Sequence, residues 1–180
     1  DVKPVDRMSE DQLYSTEAGF RQALNGIYVE LNHADLYGDE LLVNTVEILA
    51  QRYKFSSMGT LTNQYHLAEF DYTTDYAKKC GSRIWEKAYA LIANVNKLLK
   101  NADSHKDLFT GDSYDLITGE AYALRAFLHF DLLRLFGPVY KTHKEDKSIC
   151  YNTQFSLSGS DLLPASKVME YVIADLKEAE

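Results

Sequence analysis

Residues 119–138, GEAYALRAFLHFDLLRLFGP, decide the fold class of this 180-residue chain. They predict a long helix that stops at Gly137–Pro138. Glycine is favoured just past a helix end because it takes positive φ at little cost, and proline cannot continue the helical hydrogen-bond ladder. Inside the stretch, Glu120, Arg125, His129, Asp131 and Arg134 are interleaved with Leu124, Phe127, Leu128, Phe130, Leu132, Leu133, Leu135 and Phe136. On a helical wheel the apolar positions run nearly all the way round, so the helix should be covered on several sides. Charges in such a helix need partners, because desolvating them alone is costly. The stretch reads as the central helix of an array.

Outward from there, composition narrows the class. With 46% hydrophobic and 26% charged residues, the chain is globular, not disordered as a whole. No run of about 18 apolar residues occurs that would span a membrane as a helix. A net charge of −8 with scattered basic residues argues against nucleic acid, which needs clustered Lys and Arg. The chain opens on Asp1 and closes on Glu180 inside an amphipathic pattern, which reads as a piece of a longer polypeptide with upstream material removed. Cys80 and Cys150 lie 70 residues apart without a CxxC, and the five histidines form no HExxH pair. No metal or cofactor is expected, and the cysteines read as two free thiols ahead of a disulfide between them, which the sequence leaves open. His129 reads as a core histidine with its hydrogen bonds satisfied.

Other elements follow from the same periodicity. Ser9 and Gln12 offer a capping box. Phe20, Leu24, Ile27, Tyr28 and Leu31 mark a helix over 16–32, and Leu41, Leu42, Val46 and Leu49 a second over 39–51. Residues 53–74 lose periodicity and are expected to form a long loop, a length that in compact domains often carries function. Ile84, Trp85, Ala88, Tyr89, Ile92, Val95 and Leu99 stripe a helix over 75–101. Asp112 or Ser113 is expected to cap the central helix. Residues 139–161 read as irregular, and Pro164 suits the first turn of a last helix built on Val168, Tyr171, Val172 and Leu176. No alternating strand pattern appears, so the predicted class is all-α: antiparallel helices in tetratricopeptide-like pairs, with residues 1–180 as one helical part.

Two helices together resemble the N-terminal region of the SusD/RagB family of outer-membrane nutrient-binding lipoproteins. The first signature stands as Trp85, Tyr89, Ile92 and Asn96, followed by Leu98 and Leu99. The second stands as Glu120, Ala121, Leu124, Arg125, Ala126, Phe130, Leu132, Arg134, Phe136 and Gly137. The opening Asp1-Val2-Lys3-Pro4 resembles the stretch after the family's lipidated cysteine, and VMEYVIADLKEAE its next helix. The segment after Gly137, Pro138-Val139-Tyr140-Lys141, departs from the family's usual apolar run. The resemblance implies a cell-surface protein on the outer face of the outer membrane, anchored by a lipid upstream of residue 1. It further implies non-catalytic capture of oligosaccharide or polysaccharide and delivery to a SusC-type TonB-dependent transporter.

Sugar capture needs aromatic faces for pyranose rings and a few fixed polar groups for hydroxyls. The candidates lie in and just before the aperiodic stretch: Gln51, Arg52, Tyr53, Phe55, Asn63, Tyr65 and Tyr72. Trp85 sits within an apolar helical stripe and reads as packing. Asn96, Glu120, Arg125 and Arg134 are assigned structural work, with Asp131 and Arg134 placed at i,i+3 to pair directly. An enzyme is not expected: no facing carboxylate pair, GxSxG, P-loop or GxGxxG is present. The competing reading is a helical-repeat scaffold for a protein partner, since Trp85 and Gly119, like Tyr89 and Ala123, stand 34 residues apart.

Overall fold

A computed structural model describes residues 9–55, 61–155 and 160–180. The expectation on Asp1-Val2-Lys3-Pro4 and, within the 53–74 stretch, that on residues 56–60 fall outside these residues. The described elements are α1 (Glu10–Leu13), α2 (Glu17–Leu31), α3 (Thr45–Leu49), α4 (Thr62–Ala68), α5 (Asp75–Ser104), α6 (Ser113–Phe136), α7 (Tyr140–His143) and α8 (Ala165–Glu178). Among the described residues, extended pairing is limited to one bridge, Lys147 with Pro164. The class is all-α. The chain groups into two compact units, residues 1–27 with 92–180 and residues 28–91. The division is invisible in the sequence because α2 and α5 contribute residues to both, so periodicity runs through each boundary without a break.

In the first unit, Ser9 and Gln12 form the expected capping box on α1. The Thr16 hydroxyl accepts from the Gly19 N–H at 3.1 Å, satisfying one of the orphan donors of α2. The central helix α6 buries Ile117, Ala121, Leu124, Ala126, Leu128, Leu132 and Leu133. It runs antiparallel to α8. Gly119 lies so close to Ala179 that a Cβ would stand 3.2 Å from its carbonyl oxygen, and further along Arg125 meets Asp175. It also runs antiparallel to the 92–104 part of α5, where Tyr114 reaches Asp103 and Arg125 reaches Asn96.

Coverage of α6 is less complete than the wheel suggested. Leu116, Phe127 and Phe130 are 59%, 45% and 37% exposed, and Glu120 and Arg134 lie on the open side with them. Gly137 does close the helix, but for a different reason. Its φ of −82° and ψ of 168° are extended, not left-handed. A Cβ there would stand 2.4 Å from the Leu133 carbonyl oxygen, so lack of space selects glycine, not handedness. Asp112 occupies the N-cap position without a side-chain hydrogen bond, and Ser113 instead accepts from Arg21 at 2.8 Å. Within the region expected to be irregular, Tyr140–His143 form one short helix.

The second unit departs further. The helix expected over 39–51 shrinks to α3, and turns through residues 33–44 precede it. Gly38 starts this: a Cβ there would stand 2.4 Å from the Asn32 carbonyl oxygen, a position that suits a tight turn and no larger residue. The buried Glu40 then takes Arg83 at 2.8 Å and the Thr45 hydroxyl, anchoring the turns. The expected 53–74 loop contains α4, whose Leu67 and Ala68 join Ile48 and Ala77 in a small core with Phe55 and Tyr76 packed on it. Two turns with two buried residues and no side-chain cap are too short to show periodicity. Trp85 is half-buried with its ring 4.8 Å from that of Tyr89, as expected for packing. Both cysteines are free.

Candidate functional site

Helix α3 ends at Leu49, and the chain reverses through Gln51, whose φ of 58° is rare for a residue with a side chain. The strain is held in place. The Gln51 amide donates to the Ala68 carbonyl at 2.7 Å, joining the end of α3 to the end of α4. The Arg52 N–H donates to the Glu47 carbonyl at 3.0 Å. This reversal carries Tyr53 back to the 39–44 turns, where its hydroxyl donates to the Val43 carbonyl at 2.7 Å.

The result is a cleft of about 500 Å³ walled by Tyr53, Phe55, Val43, Ile48 and Leu61, with Asp39, Asn44, Lys54 and Gln64 as its polar groups. Two aromatic rings beside a few separated polar side chains are what a sugar-sized ligand requires. Of the seven residues proposed from sequence, the fold brings Tyr53 and Phe55 together in this cleft. Gln51 shapes the turn. Arg52 is 72% exposed at its side chain, 4.0 Å from Glu47. Asn63 is exposed in the first turn of α4, Tyr65 is half-buried beside His66, and Tyr72 is exposed in the turn before α5. Sequence reasoning missed Asp39, Asn44, Lys54 and Gln64. The first two were absorbed into an expected helix. Lys54 and Gln64 flank a stretch with no local signal.

The first unit places its polar groups differently. Arg125 donates to both Asp175 oxygens at 2.7 Å, to the Asn96 oxygen at 2.8 Å and to the Thr153 carbonyl at 3.3 Å. Tyr151 donates to Asp175 at 2.6 Å. His129 takes the Asn152 N–H on Nε2 at 3.1 Å, so Nδ1 carries the proton and donates to the Arg125 carbonyl at 2.8 Å. Burial drives the His129 pKa down to about 4, keeping the ring neutral where it stacks on Tyr151 at 3.9 Å. Burial, then the hydrogen bond and charge of Asp175, raise the Tyr151 hydroxyl. Every partner is internal, so the arrangement is a clamp joining α5, α6, α8 and the 151–153 segment. Arg125 and Asn96 do the structural work expected of them, as His129 does. Asp131 and Arg134 pair at 2.9 Å, also as expected.

A family model described as SusD-like_3, starch-binding associating with outer membrane, matches residues 1–179. SusD-like protein P2 of Formosa agariphila is 26% identical over 179 residues, which is 98% of this chain and 33% of that protein. SusD-like protein P25 of the same organism is 26% identical over 134 residues, or 72% of this chain and 25% of its own length. The chain therefore spans a third or less of these curated relatives. Among solved structures, a SusD superfamily protein from Bacteroides fragilis superposes with a TM-score of 0.74 at 18% identity, over 92% of this chain and 39% of that one. A SusD-like carbohydrate binding protein from Bacteroides vulgatus gives 0.69 at 22% identity, over 91% and 35%. At these identities the superpositions establish the fold.

Proposed function

The chain belongs to the SusD-like family, and on that premise we propose that it is the helical part of a cell-surface glycan receptor. It captures oligosaccharide without altering it and delivers it to a SusC-type TonB-dependent transporter. It works at the outer face of the outer membrane, held by a lipid anchor upstream of residue 1. The observation that supports capture is the cleft of Tyr53 and Phe55, with polar groups spaced around two aromatic faces.

Native affinity electrophoresis through gels containing soluble starch, a β-glucan or a mannan tests the reading. Retardation by at least one polymer is expected, with affinity falling about tenfold, near 1.4 kcal/mol, in Tyr53→Ala. Unretarded migration in all three gels would defeat it. A protein-binding role for the helices has its own support in the open side of α6, where Leu116, Phe127 and Phe130 are exposed. Tight capture of the transporter with no glycan binding would favour that role alone.

A further inference from the structure

A second recess lies wholly within the first unit, on the solvent side of the Arg125 clamp. Its volume is about 440 Å³, inside the range of roughly 300–1,000 Å³ typical of small-ligand sites. Asn96 and Arg125 line it, with Lys100 and Asp103 from α5, Tyr122 from α6 and Thr153 to Phe155 from the segment after Tyr151.

Three features separate this recess from an ordinary surface dent. Its wall is fixed: the Asn152 N–H goes to His129, the Asn152 carbonyl accepts from Asn96 at 2.9 Å, and the Thr153 carbonyl accepts from Arg125. The Phe155 ring is held under Lys97, 4.6 Å from Nζ, and that ammonium is itself tied to Glu10 at 3.0 Å. Side chains held this way lose little further freedom when a ligand arrives.

The polar groups are also left with capacity. Among the described residues, the Tyr122 hydroxyl, the Lys100 ammonium and the Thr153 hydroxyl have no hydrogen-bond partner. Asp103 uses Oδ1 for Tyr114 at 2.7 Å and Lys106 at 3.3 Å, leaving its second oxygen. Finally, charge of both signs lines the recess: Arg125 is neutralised by Asp175, Asp103 pairs with Lys106 at 3.3 Å, and Lys100 stands beside them. One carboxylate acceptor, one ammonium donor and two hydroxyls that do both, set side by side, suit adjacent hydroxyl groups. The rings of Tyr122 and Phe155 supply apolar surface beside them.

We infer that this recess is a second ligand site, taking a neutral mono- or disaccharide independently of the Tyr53 cleft. Its volume of about 440 Å³ fits one or two sugar rings.

Amide chemical-shift mapping of the intact chain, titrated separately with maltose, cellobiose and mannobiose, tests this. At least one sugar should shift amides at Tyr122 and Thr153 to Phe155 along a saturating curve. The double variant Lys100→Ala/Tyr122→Phe, which removes only solvent-side groups, should weaken that curve at least tenfold. Tyr53→Ala should leave it unchanged. No shifts at these amides with any of the three sugars, or shifts indifferent to the double variant, would overturn the inference. Shifts confined to the Tyr53 cleft would overturn it while upholding the proposed capture site. Shifts confined to the recess would uphold it and count against the cleft.

Discussion

Arg125 and Arg83 each hold a carboxylate, one in each unit of the molecule, and the contrast separates framework from site. Arg125 and Asp175 are both nearly inaccessible, bound bidentately, with Asn96, Tyr151 and Thr153 taking the remaining capacity. Arg83 is half exposed, reaching Glu40 at 2.8 Å and Asp35 at 3.5 Å from the solvent side. The two described residues other than glycine with positive φ, Gln51 and Phe70, also both fall in the second unit. Such outliers persist only where surrounding contacts hold them, and they cluster at binding sites. Arg125 and its partners spend their polar capacity on one another. The second unit holds a strained turn at Gln51 beside a cleft whose polar side chains face it.

The sharpest way to break this contrast is Arg125→Ala. It strands the Asp175 charge in the interior and removes the tie to Asn96, so a loss of about 3–5 kcal/mol is expected. That corresponds to a fall of roughly 6–20 °C in melting temperature. Normal yield and an unchanged melting curve would show the clamp to be dispensable.

Next comes pH. The folded His129 pKa of about 4 lies below the unfolded value near 6.5, chiefly through burial. Between those values the unfolded chain binds more protons, so the stability this gives is complete above pH 6.5 and is lost as pH falls toward 4. The full shift corresponds to about 3 kcal/mol. Urea denaturation at pH 7, 5.5 and 4.5 should show the loss, and His129→Gln should flatten it. The exposed carboxylates with lowered values, Glu17 at about 2 among them, act further down the scale.

Glu40→Gln probes the second unit. The amide keeps the volume but weakens the tie to Arg83, which still reaches water. Destabilisation of about 1–3 kcal/mol is expected by the same urea assay, less than for Arg125. A loss equal to that of Arg125→Ala would erase the distinction between the units. Smallest of all is Arg134→Ala. Its partner Asp131 is real, but the arginine is 65% exposed, so the change in urea midpoint should correspond to under about 1 kcal/mol.

Legibility in the sequence followed helix length. Helices α2, α5, α6 and α8 span 15, 30, 24 and 14 residues, long enough for the 3.6-residue period to repeat, and each was read near its observed bounds. The i,i+3 pair on α6 was legible for the same reason. The five-residue α3 and seven-residue α4 were not, because a period needs more than one or two turns to declare itself. The candidate site was read only through its aromatics. Tyr53 and Phe55 stood out as rings in an aperiodic stretch, but nothing local links them to Asp39 or Gln64.

The sequence by itself therefore determined the all-α class, the long helices, the family and the structural role of Arg125 and His129. Those properties rest on a repeating local pattern and on the high cost of burying an unpaired charge. Tertiary structure alone decided which face of α6 stays open, why Gly137 must be glycine, and which side chains share a cleft. Each of these depends on a close approach between segments far apart in sequence, or on one backbone reversal at Gln51. Neither is encoded in the periodicity of any single element.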